Sequence, residues 1–386
     1  MGEGMRTVFL MSCVLLLALF ACKTQVAVKQ EQGDRGVFEL LYQHVKSRMA
    51  ISSDCSAGGV IFMRDGKVLY EEYLGAVHRG PGATPITTDS RFPCFSVSKG
   101  FGASVVLSLV SDGLIALDDP VSKYIPHFKG KGPDGKFLRD NVTIRTLASH
   151  SSGIPRPDKQ PERYDNRPIF EDVVLEFKPG TSFLYSELAM RVLGHVLEVA
   201  GGKRYEILLK ERVLDPVGLS SVGYLYMGAD TSDIVHSCVG YDSSSIGFSD
   251  EFAPKPYPGT GLYASLKDIA RYGQLWLDGG KANGREVFSS DLIELAWQSQ
   301  PKDRVPDPAY GILFWLFPQV GSKVISGMAH TICAIIPERN VVVAMALNQR
   351  GGSRWFDFET EKINLTRLGH TIVEKLDRLS QTAVDR

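Results

Sequence analysis

The chain lacks a dominant sign of charge. Its 386 residues include 43 basic and 44 acidic ones, for a formal net charge of −1. No basic stripe stands out, which argues against a nucleic-acid partner. There is no C-x-x-C pair: the six cysteines, Cys13, Cys22, Cys55, Cys94, Cys238 and Cys333, are scattered. Zinc sites need clustered thiolates or imidazoles, so none is expected. H-E-x-x-H and G-x-S-x-G are both missing, which removes the signatures of zinc peptidases and of the strand-to-helix nucleophile elbow. One G-x-x-x-x-G-K runs from Gly130 to Lys136, but Phe137 follows where a P-loop needs Ser or Thr for magnesium. Internal repeats and low-complexity tracts are absent. No motif calls for a cofactor or a metal.

An apolar run of membrane-spanning length is also missing. The longest stretch, Val8 to Ala21 after Arg6, has about 14 residues, where a bilayer span needs roughly 20. It fits the apolar region of a secretory signal peptide. The ending "LFAC" resembles a bacterial lipobox, in which Cys22 becomes the lipidated first residue of the mature protein. Several acyl chains on one cysteine anchor stably, where one binds only marginally. The expected organisation is a signal peptide at 1–22, a polar linker at 23–36 and one domain at 37–380. The expected location is the periplasm or cell envelope, with a lipid anchor in the membrane. In an exported protein Cys55, Cys94, Cys238 and Cys333 either pair or stay as buried thiols.

What is present is an ordinary globular composition, 44% hydrophobic and 23% charged. "VFELLYQHVKSRM" has helical spacing. "GGVIFMRDGKVLYEEYLG" reads as two strands turning at Asp65-Gly66. "VTIRTLASHSSGIP" is a short helix closed by Gly153 and Pro155. "SELAMRVLGHVLEVAGG" is a helix with Ser186 as N-cap and Gly201 as stop. "SLKDIARYGQLWLDGG" is another, with Ser265 and Asp268 spaced as in a capping box. The runs "YGILFWLF", "KVISGM", "TICAIIP" and "VVVAMALN" predict strands, followed by a last helix, "RLGHTIVEKLDRL". The pattern predicts an α/β fold: an α/β part from about 37–90 and 305–380, and a mainly helical insertion at about 91–304.

The stretch "FPCFSVSKGF" carries the chemistry. Ser96 stands three residues before Lys99, at the start of an apolar helix. A serine hydroxyl is a weak nucleophile until a base takes its proton. Residues i and i+3 share a helix face, so the lysine amine reaches the hydroxyl. The bland alternative is a capping serine beside a solvated lysine. A second S-x-x-K, Ser299 to Lys302, contains Pro301 and precedes no helix, so it is a chance match. Two tyrosines compete for a proton-carrying role: Tyr185, just before a helix, and Tyr164, in a Y-x-N. His150 and His330 read as hydrogen-bonded structural histidines, with His330 also placed to line a pocket. Trp276 and Trp315 read as core or cleft wall.

Six segments, in order, resemble the serine β-lactamase and penicillin-binding-protein superfamily. They are "SVSK", "LIALDDPVSKYIP", "VTIRTLASHSSGIP", "PGTSFLYSELAMRVLGHVLE", "PGTGLYASLKDIARYGQLWLDGG" and "ISGMAHTICAIIPERNVVVAMALN". The closest likeness is to class C-like esterases and 6-aminohexanoate-dimer hydrolases. The resemblance implies an antiparallel sheet flanked by helices, with a mainly helical insertion domain. It implies Ser96 as the acylated nucleophile, Lys99 as its base and Tyr185 as proton carrier. The third motif falls on Ile325-Ser326-Gly327, and the oxyanion donors become the backbone N–H groups of Ser96 and Met328. Glu187, Ser326, Gly327 and His330 would face the substrate.

Two positions depart from the family pattern. Glu187 stands where many members carry Asn. A carboxylate there either pairs with Lys99 and holds the amine protonated, or points along its helix into solvent. Ile325 stands where many members carry a lysine that holds a substrate carboxylate. The expected activity is therefore hydrolysis of a carboxylic ester or small amide. A D-amino-acid peptidase, a β-lactamase and a non-catalytic cell-wall ligand-binding protein on the same fold are the alternatives.

Overall fold

The central strands are apolar without interruption. "VVVAMAL" and "TICAII" are buried at every position and "AGGVIFMR" at all but its last. Such strands need cover on both faces. The computed structural model describes residues 35–132, 134–156, 173–225, 230–236, 256–300, 309–349 and 355–384. It divides into two units, Met1–Glu39 and Leu40–Arg386. Within the first, the described residues form a short 3-10 turn, Gly36–Phe38. The expected signal peptide and most of the expected linker lie outside the described residues, as do Cys22, Tyr164 and Cys238.

Helix α1 (Glu39–Ile51) leads into β1 (Ala57–Arg64) and β2 (Lys67–Gly75). Their hairpin turns at Asp65 and Gly66, both at positive φ (52° and 72°), as a right-twisted two-residue turn demands. After β3 (Arg91–Pro93) comes α2 (Ser98–Ser111), buried all round from Ser98 to Leu109. A helix apolar on every side belongs inside a core. Next are α3 (Ile144–Ala148), α4 (Glu187–Gly201), β4 (Gly223–Tyr224), β5 (Leu262–Ser265) and α5 (Leu266–Leu277). The C-terminal part supplies β6 (Ala309–Tyr310), β7 (Trp315–Phe317), β8 (Ser322–Gly327), β9 (Thr331–Ile336), β10 (Val341–Leu347) and α6 (Trp355–Val384).

The large sheet runs β2-β1-β10-β9-β8-β7-β6, with all neighbouring strands antiparallel. Strands from the two ends of the sequence thus meet at β1–β10. Gly273 of α5 lies against Val342 and Cys333, and Gly369 of α6 against Val343 and Ile336. Those pairs differ by an odd number of residues, so α5 and α6 cover opposite faces. A small sheet, β3-β5-β4, joins the helical part. The antiparallel sheet, its flanking helices and the helical insertion match the expected fold class.

Details differ from the sequence reading. Helix α4 includes Gly201 and is closed by Gly202 at φ 65°. The last helix starts well before Arg367. Ser265 caps α5 by accepting from the Asp268 N–H, but Asp268 turns its carboxylate to Ser221, so the capping box is half formed. Cys94 and Cys333 are buried free thiols, and Cys55 is buried with its Sγ 3.5 Å from Asn348 Oδ1. Burial pushes the Cys333 thiol up to about 12, which keeps it unreactive.

Candidate active site

The nucleophile segment is held from both sides. The Cys94 N–H donates to the Leu262 carbonyl (2.8 Å), tying it to β5. Phe95 is in the left-handed region at φ 47°, a conformation worth about 1–3 kcal/mol of strain for a bulky residue. A 3-10 turn, Phe95–Val97, then feeds α2. Ser96 is half-buried at this turn and Lys99 is buried one turn below.

The Lys99 amine has three partners. Nζ lies 3.1 Å from Ser96 Oγ, 2.5 Å from Glu187 Oε1 and 2.8 Å from the Gly259 carbonyl. The last two only accept, so two N–H bonds are committed to them. The third valence points at Ser96, as an N–H in the ammonium and as a lone pair in the free amine. Burial alone would lower the Lys99 pKa, but Tyr185 and Glu187 overcome it and raise it above the ordinary lysine value. The ion pair therefore forms, and the solvent-pointing alternative for Glu187 does not. Its other oxygen, Oε2, accepts from Tyr257 Oη at 3.2 Å.

Tyr185, Ser186 and Glu187 divide three tasks. Tyr185 presents its ring 4.8 Å from Lys99 Nζ. Ser186 caps α4: Oγ accepts from the Ala189 N–H (3.1 Å) and donates to the Pro155 carbonyl (2.7 Å). Its own N–H donates to His150 Nδ1 at 3.1 Å, so the proton of this imidazole sits on Nε2. His150 is fully buried, which together with Lys99 and Arg156 holds its pKa well below 6.5. It stays neutral and packs 4.2 Å from the Tyr185 ring. The structural reading of His150 agrees with this placement. Trp315 stacks on Tyr185 (5.9 Å, 9° between planes), and Tyr310 packs edge-on to both.

The opposite wall is β8. A Cβ at Gly327 would overlap the Cys94 carbonyl oxygen and lie 3.1 Å from the Ser96 nitrogen, so only glycine fits. Ile325 packs on Gly100 of α2, on the same face. Ser326 alternates to the other face. It is buried, and its hydroxyl has no hydrogen-bond partner among the described residues. Met328 is 53% exposed, and Ala329 and His330 follow at φ 58° and 62°. Trp276 packs in the core against Phe288, Trp297 and Phe314.

Three contributors escaped the sequence reading. Gly259 supplies a carbonyl to Lys99, and a Cβ there would overlap Glu187 Oε2 and the Tyr257 ring. Tyr257 holds Glu187, and Arg191 lies 4.6 Å over the Tyr257 ring. The segment "PGTG" signals Gly259 as a tight approach, but backbone carbonyls leave no trace in residue type.

The Beta-lactamase family model matches residues 41–366. Penicillin-binding protein 4 of Amycolatopsis lactamdurans is 31% identical over 60% of this chain and 62% of its own length. Esterase EstB of Burkholderia gladioli is 28% identical over 55% of this chain and 63% of its own length. The chain thus spans less than two thirds of either relative. The solved structure of EstCE1, a hydrolase with promiscuous acyltransferase activity, superposes with a TM-score of 0.70 at 19% identity, covering 87% of this chain and 98% of that one. The matched span takes in both strand-forming ends and the whole helical insertion, and it includes Ser96, Lys99, Tyr185 and Gly327, so the chain belongs to the Beta-lactamase family.

Proposed function

We propose that the protein hydrolyses carboxylic esters or small amides through an acyl-enzyme on Ser96. The carrying observation is the three-valent setting of Lys99, whose one uncommitted position faces Ser96 Oγ at 3.1 Å. In the free-amine form Lys99 takes the Ser96 proton as Oγ attacks the substrate carbonyl. The N–H groups of Ser96 and Met328 hold the resulting oxyanion. Tyr185 gives its proton to the leaving group as the tetrahedral intermediate collapses, and Lys99 returns one to Tyr185. Water then adds to the acyl-enzyme through the same groups and releases the acid.

The charge balance of the site supports neutral substrates. Ile325 presents an apolar side chain on the strand face that looks at α2, and Glu187 compensates the Lys99 charge. Gly327 brings β8 against the nucleophile, and His330 and exposed Met328 border that edge. The test compares kcat/KM for p-nitrophenyl butyrate, nitrocefin and a D-alanyl-D-alanine peptide. The ester is expected to lead; a faster cephalosporin or peptide would overturn the ranking.

The Lys99–Glu187 pair also motivates a second reading, a retired site that only binds a cell-wall ligand. Under that reading the natural protein is silent and Glu187→Asn gains activity. Under the first, the natural protein is active and the variant changes only its rate and pH profile. The N-terminal sequence further supports export and lipid anchoring through Cys22 in the cell envelope. Metabolic labelling with palmitate tests this: Cys22→Ala is expected to lose the label, and label retained in that variant would contradict it.

A further inference from the structure

The turn that carries Met328 is strained and is gripped by a buried charge cluster outside the reacting groups. Ala329 and His330, two adjacent non-glycine residues, both sit in the left-handed region. Such conformations persist only where the surroundings enforce them. Thr331 Oγ1 donates to the Pro93 carbonyl (3.0 Å), which fixes the far side of the turn. On the near side His330 Nε2 meets Arg48 Nη2 at 3.5 Å. Arg48 Nε pairs with Glu361 Oε2 at 3.3 Å, and His44 Nε2 meets Glu361 Oε1 at 2.5 Å. Glu361 is 2% exposed, so both oxygens of a buried carboxylate are spent on α1 side chains. His44 and Arg48 hold it ionised against the effect of burial.

A buried ion pair is a poor source of net stability, but removing one partner strands a buried charge. We infer that Glu361, through Arg48 and His330, is a positioning residue that sets the Met328–His330 turn and with it the Met328 N–H. The inference rests on the acyl-enzyme reading above for the use of that N–H. It does not rest on that reading for the grip on the turn.

Glu361→Gln tests it, with Arg48→Gln as the partner variant should the first not fold. Two readouts are taken on the full protein well below its melting temperature. Amide exchange of the segment 327–332 is expected to speed at least about tenfold in the variant. Fluorophosphonate inactivation and ester kcat are expected to fall together, by about 10²-fold, with KM held within about twofold. Unchanged exchange at 327–332 would overturn the grip itself. Faster exchange with unchanged kcat and inactivation rate would reduce the cluster to a staple between α1 and α6 and overturn the positioning role. If the unaltered protein takes no fluorophosphonate while exchange still speeds in the variant, the acyl-enzyme reading fails, and the Met328 assignment with it. Proportional loss of kcat and inactivation, with the turn loosened, supports the proposal.

Discussion

Lys99 and Glu187 form an ion pair, with Nζ 2.5 Å from Oε1, one turn below the nucleophile candidate. The lysine is 2% exposed and the carboxylate 30%, so the pair spans the boundary between core and cleft. It sets the pH at which the site can work. Tyr185 and Glu187 raise the Lys99 pKa, so the free amine is scarce at neutral pH and grows as pH rises. The logarithm of kcat/KM for an ester is expected to climb with pH on the alkaline side. Glu187→Gln removes one of the two raising influences. Its limb is expected to move to lower pH, with a higher rate at pH 7. A limb that stays in place would show that Lys99 does not take the proton.

Gly327 tests the fit between β8 and the nucleophile turn. A methyl group there collides with backbone at Cys94 rather than with a flexible side chain. Gly327→Ala is expected to cost about 1–3 kcal/mol by overpacking. It should also slow acylation of Ser96. Urea unfolding and ester hydrolysis measured on the same sample check both; a variant with unaltered stability and rate would show that the strand is free to move.

His150 makes the fold acid-sensitive. It is neutral when buried and takes a proton near pH 6.5 once unfolded. Between its depressed folded value and 6.5 the unfolded chain binds more protons, so stability rises with pH. Unfolding free energy is expected to fall as pH drops below 6.5, by at most about 1.4 kcal/mol per pH unit from this group. Denaturant titrations from pH 5 to 7 measure the slope. His150→Asn should flatten it even where it lowers stability overall.

Lys362 works in the same sense on the other side of neutrality. It is 1% exposed, with Nζ 4.3 Å over the Trp315 ring, and burial lowers its pKa to about 7. Below pH 7 the fold must hold a buried cation, and between 7 and the ordinary lysine value stability rises with pH. Lys362→Met is expected to raise the melting temperature at pH 6, with the gain shrinking toward pH 10. An equal effect at both pH values would contradict the assignment.

The architecture was legible because its signals are local. Asp65-Gly66 marks a hairpin, Ser186 and Ser265 cap their helices, and uninterrupted apolar runs mark strands covered on both faces. Ser96 and Lys99 were legible through their i, i+3 spacing, and Tyr185 through its place before α4. The role of Glu187 was not, since sequence left two directions for its side chain and only the fold brings it to Lys99. The Gly259 carbonyl was invisible because every residue has one. Ser326 read as part of the substrate face, yet strand alternation turns it away from Gly327. The Arg48–Glu361 cluster joins residues more than 300 positions apart, a separation at which sequence spacing carries no signal.

The central claim is that Ser96 is an activated nucleophile. Mass spectrometry after treatment with a fluorophosphonate tests it most directly, with Ser96→Ala beside it and peptide mapping of any adduct. The account predicts one adduct, on Ser96, formed faster at pH 9 than at pH 7 and absent from the variant. No adduct on the folded protein at pH 9, or an adduct that survives in Ser96→Ala, would contradict it.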